Sequence, residues 1–186
     1  MLIIGNGKTI TRDANLPFIE DGAVAIEGTR IKEVGATKDM KEKYKDAEYI
    51  DARSGVIMPA FINTHEHIYS AMARGLSIKG YHPKGFLDIL DGQWWTIDRK
   101  LTPEQIRYSA ADTMISCIRN GVTTIFDHHA SFGHIKDSLF TIAEVAKELG
   151  VRSCLCYEVS DRDGMEKARE AVMENAAFIK YALQDD

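Results

Sequence analysis

The chain has 186 residues, 45% hydrophobic and 27% charged, and a formal charge of -5 from 23 Lys plus Arg against 28 Asp plus Glu. That length suits one good core or two small ones, and the mild acidity speaks against a nucleic-acid or anionic-membrane partner, since both need clustered positive charge. No stretch approaches the ~20 apolar residues of a membrane span, and the opening MLIIGNGKTITRD carries no basic leader, so the expectation is a cytoplasmic protein with a small-molecule partner.

Residues 1–57 read as short strands of a small β layer. Leu2 to Ile4, Ala23 to Glu27 and Arg30 to Val34 are separated by expected turns at Gly5-Asn6-Gly7, Asp21-Gly22 and Glu27-Gly28-Thr29, where Gly and Asn supply positive φ. A short charged helix is expected at Lys38 to Lys45. From residue 58 to residue 186 the rhythm becomes strand and helix in alternation. The apolar run Val56 to Ile62 reads as a buried strand ending at Thr64-His65-Glu66-His67, and a mixed segment with Phe86, Trp94 and Trp95 follows it.

Thr102-Pro103-Glu104-Gln105 then opens a helix, with Thr102 as N-cap, Pro103 at the first position and Gln105 closing a capping box. Ile106, Ala110, Met114, Cys117 and Ile118 recur at helical spacing, and Asn120-Gly121 supplies the stop. Val122 to Asp127 is a second strand ending in His128-His129. A helix from Asp137 to Leu149, a third strand Val151 to Tyr157 and a helix from Met165 to Leu183 complete the chain. Alternation of this kind implies a parallel sheet whose chemistry sits at the carboxyl ends of its strands, and His65, His67, His128, His129 and Glu158 all fall at such ends.

The H-x-H pair is the sharpest local feature. In an extended strand, residues i and i+2 point to the same side, roughly 6.5 Å apart at Cα, close enough for two imidazoles to converge on one metal. Glu66 then points the other way. The alternative is a polar loop with two hydrogen-bonded histidines, as short motifs recur by chance. Cys154 and Cys156 form a C-x-C on a strand and face one way. They read as a buried thiol pair, with metal or redox work as the alternative, and an odd total of three cysteines favours reduced thiols over disulfides.

The linked segments MPAFINTHEHIYSAMARG, DGAVAIEGTRIKEVG, WWTIDRKLTPEQ and RNGVTTIFDHHAS resemble the amidohydrolase superfamily, in its metal-dependent aminohydrolase and chlorohydrolase branch. The resemblance covers nearly the whole chain. It implies a (β/α)8 barrel flanked by a β-sandwich, with His65 and His67 as ligands of one divalent ion, zinc or else iron, and a planar heterocyclic substrate hydrolysed at a C–N bond. Ala60 stands where relatives commonly carry glycine. The family's later ligands, two histidines, an aspartate and a proton-shuttling glutamate, have no counterpart here. A complete barrel takes ~250 residues and about 130 follow Val56.

The fold expected is therefore α/β, the first three βα units of an incomplete TIM-type barrel (58–186) preceded by part of the sandwich (1–57). The isolated chain is expected to be inactive and prone to oligomerise through its open sheet edge. The alternatives are a non-catalytic assembly module, or half of a split hydrolase completed by another chain. Tyr69, Trp95, His128 and His129 are candidate substrate contacts. Against this, the rings can be core and the histidines structural. Glu158 is placed to pair with a base or to meet substrate, and Asp161 to Asp163 reads as a turn and helix cap.

Overall fold

The computed structural model describes residues 1–184, which form two compact units divided between Ala60 and Phe61. The first is a mixed five-stranded sheet. Strands β1 (Leu2–Ile10), β2 (Phe18–Glu27), β3 (Arg30–Ala36) and β4 (Glu48–Asp51) lie in the order β3-β2-β1-β4, and β5 (Val56–Ile57) also pairs with β1. Helix α1 (Thr37–Lys43) lays Met40 on Ile3, Ala23 and Ala25, which makes a core of a few side chains.

Three expectations fail here for identifiable reasons. Asp21-Gly22 is no turn but lies inside β2, where Gly22 is paired on both sides, with Gly7 and Ala36. Gly5-Asn6-Gly7 is an irregularity inside β1 and not a turn. Asn6 takes a φ of 57°, the register to β2 shifts across it, and its backbone N–H and side-chain amide are taken up by Thr37 Oγ1 at 2.9 Å and Asp51 Oδ1 at 2.6 Å. The strand continues because those long-range partners replace the ladder bonds that the bulge removes. The run Val56 to Ile62 is likewise two strands, one on each side of Pro59, which has no N–H to give to a ladder. Val56 belongs to the first sheet, Phe61 opens the next, and both are exposed.

The second unit holds a three-stranded parallel sheet, β6 (Phe61–Glu66), β7 (Val122–His129) and β8 (Arg152–Tyr157), in sequence order. Between β6 and β7 run a 3-10 turn (Ile68–Ala73), short helices α2 (Phe86–Ile89) and α3 (Trp95–Asp98) joined by the π-helical turn Leu90–Trp94, and the long helix α4 (Pro103–Arg119). Helix α4 starts as its sequence dictates. Thr102 Oγ1 accepts from the Gln105 N–H at 3.3 Å, and Gln105 Oε1 accepts from the Thr102 N–H at 3.0 Å. Its inward face is Ile106, Ala110, Met114 and Cys117, while Ile118 is exposed, because the apolar stripe is narrower than the spacing suggested.

Helix α5 (Ser138–Leu149) ends at Gly150 in a left-handed conformation, and α6 (Met165–Ala182) follows β8. Helices α4, α5 and α6 cover one face of the sheet and bury Ile125, Leu155 and Tyr157 against Met114, Leu139, Ile142 and Phe178. Residues alternate across a strand, so Phe126, His128, Cys154 and Cys156 lie on the other face, which is exposed.

Candidate metal centre

The two histidines of the H-x-H pair meet at the carboxyl end of β6. Their Nε2 atoms are 3.1 Å apart, close to the roughly 3.4 Å separating two nitrogens on one tetrahedral zinc. The His67 Nδ1–H donates to the backbone carbonyl of His128 at 3.0 Å. A carbonyl can only accept, so the proton sits on Nδ1 and the Nε2 lone pair is turned toward His65, the orienting bond that ligand histidines usually make.

Neighbours on the same turn hold this arrangement. Asn63 Oδ1 accepts from the His65 N–H at 3.2 Å while its amide donates to Glu66 at 2.6 Å, and Glu66 accepts from the His67 N–H at 3.1 Å. Asp127 Oδ1 accepts from the Ile68 N–H at 2.7 Å, which ties the chain just beyond His67 to β7. Burial pushes the Asp127 carboxyl up to about 7, and its Oδ2 is buried without a hydrogen-bond partner. Asp127 was not singled out from the sequence, although its place in VTTIFDHH, one residue before His128 and so on the opposite side of β7, was a usable signal.

The pair fits two donor positions of a divalent ion. Among the described residues no group of three or more His, Cys, Asp or Glu side chains is placed to hold one. His65 and His67 open onto a cleft of about 200 Å³ lined also by Thr64, Phe126, His128 and Cys156. Cys154 and Cys156 are exposed on this face, contrary to the buried pair expected, because an alternating strand with helices on one side leaves its other side uncovered.

The remaining candidates divide. The ring of His128 stands 5.5 Å from that of His67 on the open face. His129 faces the other way and is fully buried; its Nε2–H donates to Ser131 Oγ at 3.0 Å, since that hydroxyl already donates to the His134 carbonyl at 2.7 Å. Burial, with His128 beside it, holds His129 neutral by lowering its pKa to about 3. Tyr69 lies in the core with its ring 6.0 Å from His67, and burial raises its hydroxyl to about 12. Trp95 is half-buried, with the Arg162 guanidinium 5.1 Å from its ring. Glu158 pairs with Arg162 at 2.9 Å. Asp161 to Asp163 form the turn expected, closed by the Gly164 N–H on the Asp161 carbonyl at 2.8 Å, but not a cap: Asp163 pairs with Arg99 and Arg162, and the N-cap of α6 is Gly164, without a side-chain cap bond.

Paired imidazoles at the end of a parallel strand place the chain among the α/β proteins that build their chemistry on strand ends. The amidohydrolase family model matches residues 56–184, and the chain belongs to that family. A 5'-deoxyadenosine deaminase of Methanocaldococcus jannaschii is 31% identical over 85% of this chain and 34% of its own length. The zinc complex of atrazine chlorohydrolase TrzN from Arthrobacter aurescens TC1 superposes with a TM-score of 0.70 at 26% identity, over 84% of this chain and 35% of that one. E. coli guanine deaminase shares the fold, with a TM-score of 0.78 at 20% identity over 97% of this chain and 44% of its own. The chain thus spans about a third of the length of the curated relatives it matches.

Proposed function

We propose that these residues are the amino-terminal part of a metal-dependent hydrolase that deaminates a cyclic amidine or nucleobase-like small molecule in the cytoplasm. In this reading β6, β7 and β8 are the first three strands of a (β/α)8 barrel, and the first sheet belongs to a flanking β-sandwich. The observation that carries the reading is the His65–His67 geometry, two nitrogens 3.1 Å apart with the His67 tautomer set by the His128 carbonyl. The deaminase and chlorohydrolase relatives support it, as both hydrolyse substituents of planar heterocycles by name. Within the family, FINTHEHIYSA with DHHAS resembles the aminohydrolase SsnA.

A bound divalent ion, zinc or iron, supplies Lewis-acid activation of water. The chain's own residues orient that chemistry. His65 and His67 present their Nε2 atoms, while Asn63, Glu66 and Asp127 hold the backbone on either side of them. His128 and Phe126 line the open face on which a planar substrate is placed. Zinc is ordinarily held by three or four protein ligands, so the 186-residue chain alone binds metal weakly and does not turn over.

The test is made on the native gene product. The expected result is an intact mass well above the 20.8 kDa of this chain and, with zinc, release of ammonia from 5'-deoxyadenosine or a related ring amine, which the 186-residue chain does not give. Turnover by the metal-loaded chain alone, or none by the native product across a panel of ring amines and chlorides, overturns the reading.

A further inference from the structure

A dense charge cluster of the second unit surrounds Arg162, apart from the histidine pair. Its guanidinium donates through Nε to Glu158 at 2.9 Å, through one amino group to Asp98 and through the other to Asp163 at 3.3 Å. It also lies 3.8 Å from the Phe132 ring centroid and 5.1 Å from that of Trp95. Arg99 closes the cluster by pairing with Asp163 at 2.9 Å.

These groups come from segments distant in sequence. Asp98 ends α3, whereas Arg162 lies beyond β8, 64 positions later. The segment after β7 joins them: the Gly133 N–H donates to the Asp98 carbonyl at 3.3 Å, and a Cβ on Gly133 would overlap the Arg99 carbonyl. The stretches that follow all three parallel strands therefore converge on one guanidinium. Asp98 is fully buried and the Arg162 side chain is 9% exposed. Desolvating so many charges is a poor way to gain stability alone, since apolar packing of similar volume often does as well. What a planar fork of fixed donors supplies is one defined arrangement of its partners.

That arrangement leads to the histidines. The π-helical turn Leu90–Trp94 runs directly into α3, and such turns recur at functional sites. Trp94 meets Tyr69 edge to face at 6.5 Å, and Tyr69 meets His67 at 6.0 Å. We infer that Arg162 is a positioning residue: by gripping Asp98, Glu158 and Asp163 together it fixes α3, and with it the aromatic wall of Trp94 and Trp95, of which Trp94 meets Tyr69. That this wall receives a planar ring rests on the hydrolase reading above; the clamp itself does not.

Trp94 and Trp95 are the two tryptophans of the chain, so its fluorescence reports on this wall. In folded Arg162→Met, emission shifts to the red, acrylamide quenching rises about twofold and amide exchange across residues 95–99 accelerates on the order of tenfold, while β7 keeps its protection, as a local opening requires. Arg162→Lys does not restore the signal, because an ammonium cannot reproduce the fork. Wild-type emission, quenching and exchange in Arg162→Met, or full rescue by lysine, overturns the inference. Should Arg162→Met not fold, Glu158→Gln, which removes one partly exposed partner, gives the same local changes at smaller size, and wild-type behaviour there overturns it too.

None of these readouts needs metal or turnover, so they stand apart from failure of the hydrolase reading. In a native gene product that is active on 5'-deoxyadenosine, Arg162→Met raises KM more than it lowers kcat. The opposite split also counts against positioning.

Discussion

On the helix side of the parallel sheet, Ile125, Asp127 and His129 are buried, whereas Phe126 and His128, their neighbours along β7, stand on the open face with Phe126 43% exposed. The covered face is where the second unit gains its stability, through a core shared by three helices. The open face carries the paired imidazoles and the cleft. One strand thus performs two tasks on two sides, and the two adjacent histidines divide between them. His129 is locked neutral in the core, while the carbonyl and ring of His128 are both set against His67.

Substitutions sharpen this contrast. Ile125→Ala lowers unfolding free energy by about 2–5 kcal/mol, the usual cost of emptying a well-packed site, and Phe126→Ala one position on costs less than about 1 kcal/mol; equal losses in urea titrations would erase the distinction between faces. His67→Ala leaves the urea midpoint nearly unchanged and weakens zinc binding by the native gene product, read by calorimetric titration, by more than the roughly 10–100-fold that loss of a ligand's hydrogen-bond partner costs. A fall in stability without loss of affinity would make His67 a structural residue.

The pH response separates the faces again, at smaller amplitude. Because His129 has its pKa lowered from 6.5 to about 3, its stabilisation is complete above pH 6.5 and is lost as pH falls toward 3. Asp98 and Asp127 act in the opposite sense. Raised from 3.8 to about 6 and about 7, mainly by burial, they contribute stability that is full below 3.8 and is lost as pH rises through those values. His129→Phe therefore flattens the acid limb of a stability–pH curve and Asp127→Asn the limb near neutrality; unchanged limbs would refute the assignment. Away from both faces, Thr102→Ala costs about 1 kcal/mol for the lost N-cap of α4, measured by the same denaturation.

Legibility followed the range of the forces involved. The start of α4 was readable because Thr102, Pro103 and Gln105 act on one another within a single turn. The same-side placement of His65 and His67 was readable because period-2 alternation needs no knowledge of the rest of the chain. The bulge at Asn6 was not, since it depends on Thr37 and Asp51, 31 and 45 residues away. The exposure of Cys154 and Cys156 depended on which face the helices would cover, and an alternating pattern leaves that open.

The sequence by itself determined the strand and helix alternation of the second unit, the capped start of α4 and the H-x-H pairing, all of them consequences of backbone geometry over a few residues. Only the tertiary structure decided that the His128 carbonyl sets the tautomer of His67, that Asp127 anchors the chain behind it, and that Arg162 grips Asp98, 64 positions away, together with Glu158 and Asp163. The physical reason is the same in each case. These are hydrogen bonds and ion pairs whose partners meet only when parallel strands bring their carboxyl ends together, and no local pattern encodes which partner will be there.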